Sequence, residues 1–189
     1  MSRNITAKQP RIFRANSVAL SLIAALWLGM GVYSPRLQAE PVTTSVYSMP
    51  ITTFITNLLN GMLANHYKFD GHVQFHMPAI WLFSPDGKMV AQAMDSSSLA
   101  ALMSQLPPDT NTPVVSNVPD LAVFDQVLAQ SAGVAEDSVK AAGKGQWTAV
   151  LFSSDSPACK KCTAFEKSFR TMQKNSSVKW HPIAIMLTQ

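Results

Sequence analysis

Apolar residues recur at helical spacing at Ile51, Phe54, Ile55, Leu58, Leu59, Met62 and Leu63, which predicts an amphipathic helix with Thr52 or Thr53 as its cap. A polar loop through Asp70 and Gly71 leads to Met77-Pro78. Two short apolar runs follow, Ala79–Phe83 and Lys88–Gln92, separated by Ser84, Pro85, Asp86 and Gly87. Proline and glycine in that position favour a turn, so the pair predicts a β-hairpin. Ser96–Ser98 then cap a helix carrying Leu99, Leu102, Met103 and Leu106, which Pro107-Pro108 stops.

Residues 107–118 have the composition of a linker, with a short strand expected around Val114-Val115. A second amphipathic helix is predicted from Pro119, with Leu121, Phe124, Val127 and Leu128 on one face, and a further helical turn or two between Ala135 and Ala142. Trp147–Phe152 is apolar enough for a buried strand. A tight loop then reaches Cys159-Lys160-Lys161-Cys162, and the next helix aligns Cys162, Phe165, Phe169 and Met172. Val178–Leu187 reads as a last strand, weakened in its first half by Pro182. Neither an internal repeat nor a low-complexity tract interrupts this mixture of strands and helices, which is that of an α/β chain.

The segment ahead of these elements has another character. Arg3, Lys8, Arg11 and Arg14 precede an apolar stretch from Val18 to Tyr33, followed by Pro35 and the small residue Ala39. That order predicts a signal peptide over residues 1–39, cut before Glu40. Left uncut, residues 18–34 would anchor the chain in the inner membrane. Either way, residues 40–189 are expected across a membrane, in a bacterial periplasm, as a single domain.

Placing the charges changes what the composition means. Of 189 residues, 47% are hydrophobic and 14% charged, which suits a packed core and excludes a disordered chain. The net charge of +4 invites a nucleic-acid partner. Yet the leader holds five basic residues and no acid, while from Glu40 onward ten basic residues face eleven acidic ones. The basic excess is an export feature, and no nucleic-acid partner is expected. A local asymmetry remains: residues 156–189 carry six bases and one acid, residues 40–155 four bases and ten acids.

The two cysteines of the chain, Cys159 and Cys162, are spaced as CxxC between a strand and a helix. Unpaired N–H groups at a helix start favour a thiolate on the first cysteine, and Lys160 and Lys161 add positive charge. Cys159 would then attack and Cys162 resolve the mixed disulfide. Two blander readings stand beside this one. A purely structural bridge closing so short a loop is worth only about 2 kcal/mol. A closed zinc site needs four ligands, and this is the only CxxC. Haem attachment is excluded, because Thr163 stands where histidine is needed. His66, His72 and His76 beside Met77 carry ligand chemistry, but scattered loop histidines are commoner than a metal site. With no Walker, Rossmann or Ser-His-Asp signature present, no cofactor and no metal is expected.

These residues resemble the thioredoxin-fold family in two separate pieces. Trp147–Gln189 is similar to its strand–CxxC–helix–strand half, and Met77–Leu106 to its other half of cis-proline, hairpin and C-terminal helix. Ordinary thioredoxins have the CxxC half first; here it comes second. Only 27 residues follow Cys162, too few for a hairpin and final helix after it. The simplest arrangement is a three-layer thioredoxin-like fold with circularly permuted order: a cis-proline half over 40–106, the linker 107–118, and a CxxC half over 119–189; the competing arrangements are two half-folds completed between protomers, or a fold that is not thioredoxin-like. The resemblance also implies that Pro78 is cis and lies beside the CxxC, with the Met77 backbone pairing to an extended substrate. Ala158 replaces the family's tryptophan, and Ser153 stands where its buried acid would be. The function implied is an exported thiol–disulfide oxidoreductase acting on proteins with thiols or disulfides, with a membrane redox partner possible. The alternative is a non-enzymatic subunit of an envelope secretion or conjugation assembly, with a structural CxxC. Residues 40–50 offer no dimerisation element.

Overall fold

Strand β1 (Ser45–Pro50) runs directly into helix α1 (Ile51–Ala64) in the computed structural model, which describes residues 42–68, 75–106, 115, 118–139, 145–175 and 177–189. Pro50 is the residue before the first helical turn, where its fixed φ and missing N–H suit the entry; no side chain caps the helix, so Thr52 and Thr53 do not play that part. Strands β2 (Ala79–Phe83) and β3 (Met89–Ala93) form the expected hairpin. Its turn is closed by Ser84 N–H donating to the Lys88 carbonyl at 2.9 Å, and Gly87 supplies the positive φ of 81°. Helix α2 (Ser96–Ser104) is capped by Asp95 rather than by the serines alone. The Asp95 carboxylate accepts from Ser98 N–H at 2.8 Å, and Ser98 Oγ accepts from Asp95 N–H at 3.1 Å.

Helix α3 (Leu121–Ala132) is capped by Asp120 and ends at Gly133 in the left-handed region; the single turn α4 (Glu136–Val139) follows. Strand β4 (Trp147–Ser153), helix α5 (Cys162–Gln173) and strand β5 (Trp180–Thr188) complete the order. Of the linker, only Val115 and Val118 fall among the described residues, and Val115 N–H donates to the Met89 carbonyl at 2.9 Å. Among the described residues no helix is long and apolar enough to cross a membrane.

Among the described residues, five strands make one mixed sheet in the order β1-β5-β4-β2-β3. β5 is parallel to both β1 and β4, while β2 is antiparallel to both β4 and β3. Pro182 sits opposite Ala149, one residue before β1 begins to pair at Ile183, so its missing N–H removes no bond from the β1 ladder. Strand β1 is absent from the elements expected above.

Alternation along the strands fills a core on each face. Trp81, Phe83, Val150, Phe152, Ile183 and Ile185 meet Phe54, Leu58 and Met62 of α1 and Phe124 and Leu128 of α3. Ile80, Leu82, Ala149, Leu151 and Trp180 meet Leu99 and Leu102 of α2 and Phe165, Phe169 and Met172 of α5 on the other. The result is an α/β unit of three layers. On the first face, α1 and α3 approach closely at Gly61, where an added Cβ would lie 2.6 Å from Val127 Cγ2.

Candidate functional site

Every residue of β4 is buried, and the chain leaves the sheet after Ser153. Serine hydroxyls then fold the loop tightly. Ser154 Oγ accepts from Ser156 N–H at 3.2 Å, and the Ser156 carbonyl accepts from Cys159 N–H at 2.9 Å. Cys162 N–H donates to the Cys159 carbonyl at 3.1 Å, which turns the chain into α5. This turn sets the two cysteine Cα atoms 5.4 Å apart, and their sulfurs form a disulfide.

The two cysteines are differently exposed. Cys162 is 3% exposed, packed on the same face of α5 as Phe165 and Phe169, whereas Cys159 is half-buried at the turn. Lys160 and Lys161 are exposed. No acid occupies the first turn of α5 and no side chain caps it, so the positive end of the helix is uncompensated at the disulfide.

The Met77-Pro78 peptide is cis, as the resemblance implies. Ala79 pairs with Phe152, so the register sets Pro78 at the end of the sheet where Ser153 leads into the cysteine loop. Buried Pro78 and half-buried Met77 thus share one end of the sheet with that loop. Phe75, just before them, packs its ring 5.1 Å from that of Phe152.

One member of this neighbourhood was not foreseen. Ser153 is fully buried and donates its hydroxyl to Glu166 Oε1 at 2.8 Å, and Glu166 Oε2 lies 3.8 Å from Arg170. Glu166 stands on α5 one helical turn after Cys162, so this bond links the helix that carries the second cysteine to the end of β4. The i, i+4 relation between Cys162 and Glu166 was the available signal.

Other candidates lie elsewhere. His66 follows α1 in the left-handed region, His76 is exposed, and His72 lies outside the described residues. Among the described residues no three His, Cys, Asp or Glu side chains cluster as a metal site. Thr148 and His181 face each other across β4 and β5, near the end of the sheet opposite the cysteines. Their Oγ1 and Nε2 atoms are buried without a hydrogen-bond partner, and burial pushes the His181 pKa below its ordinary value.

No family model, no curated protein and no solved structure matches this chain. The functional reading therefore stands on the geometry of the site.

Proposed function

We propose that the chain is an exported thiol–disulfide oxidoreductase that exchanges disulfides with protein substrates through Cys159 and Cys162. The observation that carries this is the unequal exposure of the two cysteines at an uncompensated helix start. A substrate thiolate reaches the half-buried Cys159 more readily than Cys162. Attack there forms a substrate–Cys159 bond and breaks the Cys159–Cys162 bond, leaving Cys162 as a thiolate. A second substrate thiolate then attacks the mixed disulfide at the substrate sulfur and releases Cys159. The protein gains two electrons as the substrate dithiol becomes a disulfide; solvent exchanges the protons. The reverse sequence, opened by the Cys159 thiolate, reduces a substrate disulfide.

The place of Met77 and Pro78, at the same end of the sheet as the cysteine loop, supports a substrate-positioning role for these residues, with the Met77 backbone pairing to an extended chain. The spatial order supports a thioredoxin-like fold whose halves are exchanged along the chain. The CxxC-bearing β4 is central, with parallel β5 on one side and the antiparallel hairpin on the other. Export to the periplasm is favoured by the basic-then-apolar leader and by a disulfide's preference for oxidising compartments.

The test is trapping. A Cys162→Ser chain expressed with its leader should retain substrate proteins on Cys159, visible as reductant-sensitive bands on non-reducing gels. A Cys159→Ser chain should retain none. Absence of trapped species from both, with biological activity intact, would overturn the enzyme reading in favour of a docking subunit with a structural bridge.

A further inference from the structure

We propose that the polypeptide exchanged at Cys159 is acidic, carrying Asp or Glu beside its reacting cysteine. This rests on the redox reading above and deepens it by naming the substrate's chemistry.

Lys160 and Lys161 stand between the two cysteines with exposed side chains, and exposed Lys167 follows in α5. Among the described residues no carboxylate pairs with any of the three, whereas Lys88 pairs with Asp120 and Arg170 with Glu166. Glu166, the one acid of α5, is already engaged by Ser153 and Arg170. The uncapped start of α5 adds partial positive charge in the same place. Exposed Asp155 is the single acid on the approach loop. Unpaired cations close to one another in the chain repel, and an anionic segment that docks beside Lys160 and Lys161 removes that repulsion. The contrast with residues 40–155 is strong, since they hold ten acids against four bases.

The neighbouring surface suits a polypeptide. Exposed Pro157 and Ala158 and half-buried Met77 give apolar contact to an extended segment, while the lysines meet its flanking carboxylates. In the reducing direction, the Cys159 thiolate attacks a sulfur of the substrate disulfide and expels the other sulfur as a thiolate. Cys162 then attacks Cys159 and releases the second substrate thiolate. The protein is oxidised by two electrons and the substrate reduced by two.

The experiment uses the full chain, reduced, with two disulfide-containing peptides of equal length, one flanked by Asp and Glu, the other by Lys and Arg. At low salt the acidic peptide should react about tenfold faster, and the advantage should shrink several-fold at high ionic strength. The double variant Lys160→Glu, Lys161→Glu should invert the ratio of the two rates, whatever it does to each. Lys167→Glu, farther from the sulfurs, should lower the ratio without inverting it. Equal rates with both peptides, or a ratio that ignores the charge reversal, overturn the proposal and leave the redox reading standing. No exchange with either peptide overturns both.

Discussion

Ser153 and Glu166 are joined by a 2.8 Å hydrogen bond that ties the end of the central strand to the helix bearing the disulfide. Ser153 is fully buried, whereas the Glu166 side chain is 31% exposed, so the two ends of the bond have different alternatives. Glu166→Ala leaves a buried hydroxyl without an acceptor and should cost roughly 1–3 kcal/mol. Ser153→Ala leaves a carboxylate that water reaches and should cost about 1 kcal/mol or less. Urea unfolding of both variants checks the order; equal losses would mean that the buried hydroxyl finds another partner.

Gly61 makes a second test of packing. Alanine in mid-helix is favoured by about 1 kcal/mol on propensity alone. Here its Cβ would lie 2.6 Å from Val127 Cγ2, and valine is stiff about χ1. Overpacking of that kind costs roughly 1–3 kcal/mol, so Gly61→Ala should lower the melting temperature. Adding Val127→Ala should recover part of the loss, and a double-mutant cycle by thermal denaturation measures the coupling.

His181 gives a pH dependence with a definite sign. Burial lowers its folded-state pKa, so the folded chain favours the neutral ring, while the unfolded chain takes up a proton near the ordinary value of 6.5. Its contribution is complete above that value and is lost as the pH falls from 6.5 toward the folded-state pKa. Unfolding free energies between pH 7.5 and 5 should therefore decline more steeply for the wild type than for His181→Gln. A decline of the same slope in both would show that His181 does not titrate differently on folding.

The disulfide closes a very short loop, so its removal should be well tolerated. The chain-entropy contribution is about 2 kcal/mol, which for a domain of this size corresponds to a drop of roughly 4–8 °C in Tm on reduction. Circular dichroism melts with and without reductant should show one cooperative transition in each state. Loss of the folded baseline on reduction would point to a structural bridge instead.

Much of this architecture was legible because burial leaves period-two and period-3.6 marks. The run Trp147–Phe152, the hairpin around Pro85 and Gly87, and the face of Cys162, Phe165, Phe169 and Met172 all appear where their patterns place them. Strand β1 was not legible: Ser45, Val46, Tyr47 and Ser48 bury little, since the strand lies at an edge and Val46 remains 64% exposed. Its identity comes from its partner β5, which local sequence does not reveal. Capping was misjudged for a related reason. Asp95 outcompetes the serines after it because its carboxylate accepts from Ser97 Oγ and Ser98 at once, and these bonds hold its pKa at about 2. The cysteine pair was plain from spacing, whereas Glu166 became part of the site only when a strand and a helix far apart in character were packed together.

Strand β1 also constrains the order in which the chain matures. Among the described residues it pairs with β5 alone, and β4, on which the hairpin docks, is the strand that precedes β5. A chain emerging from its amino end can build its helices and the β2–β3 hairpin, but has no sheet to lay them on. Both cysteines precede β5 along the chain. Closing of the sheet then waits for Trp180–Thr188, which supplies the one strand that both β1 and β4 pair with in parallel.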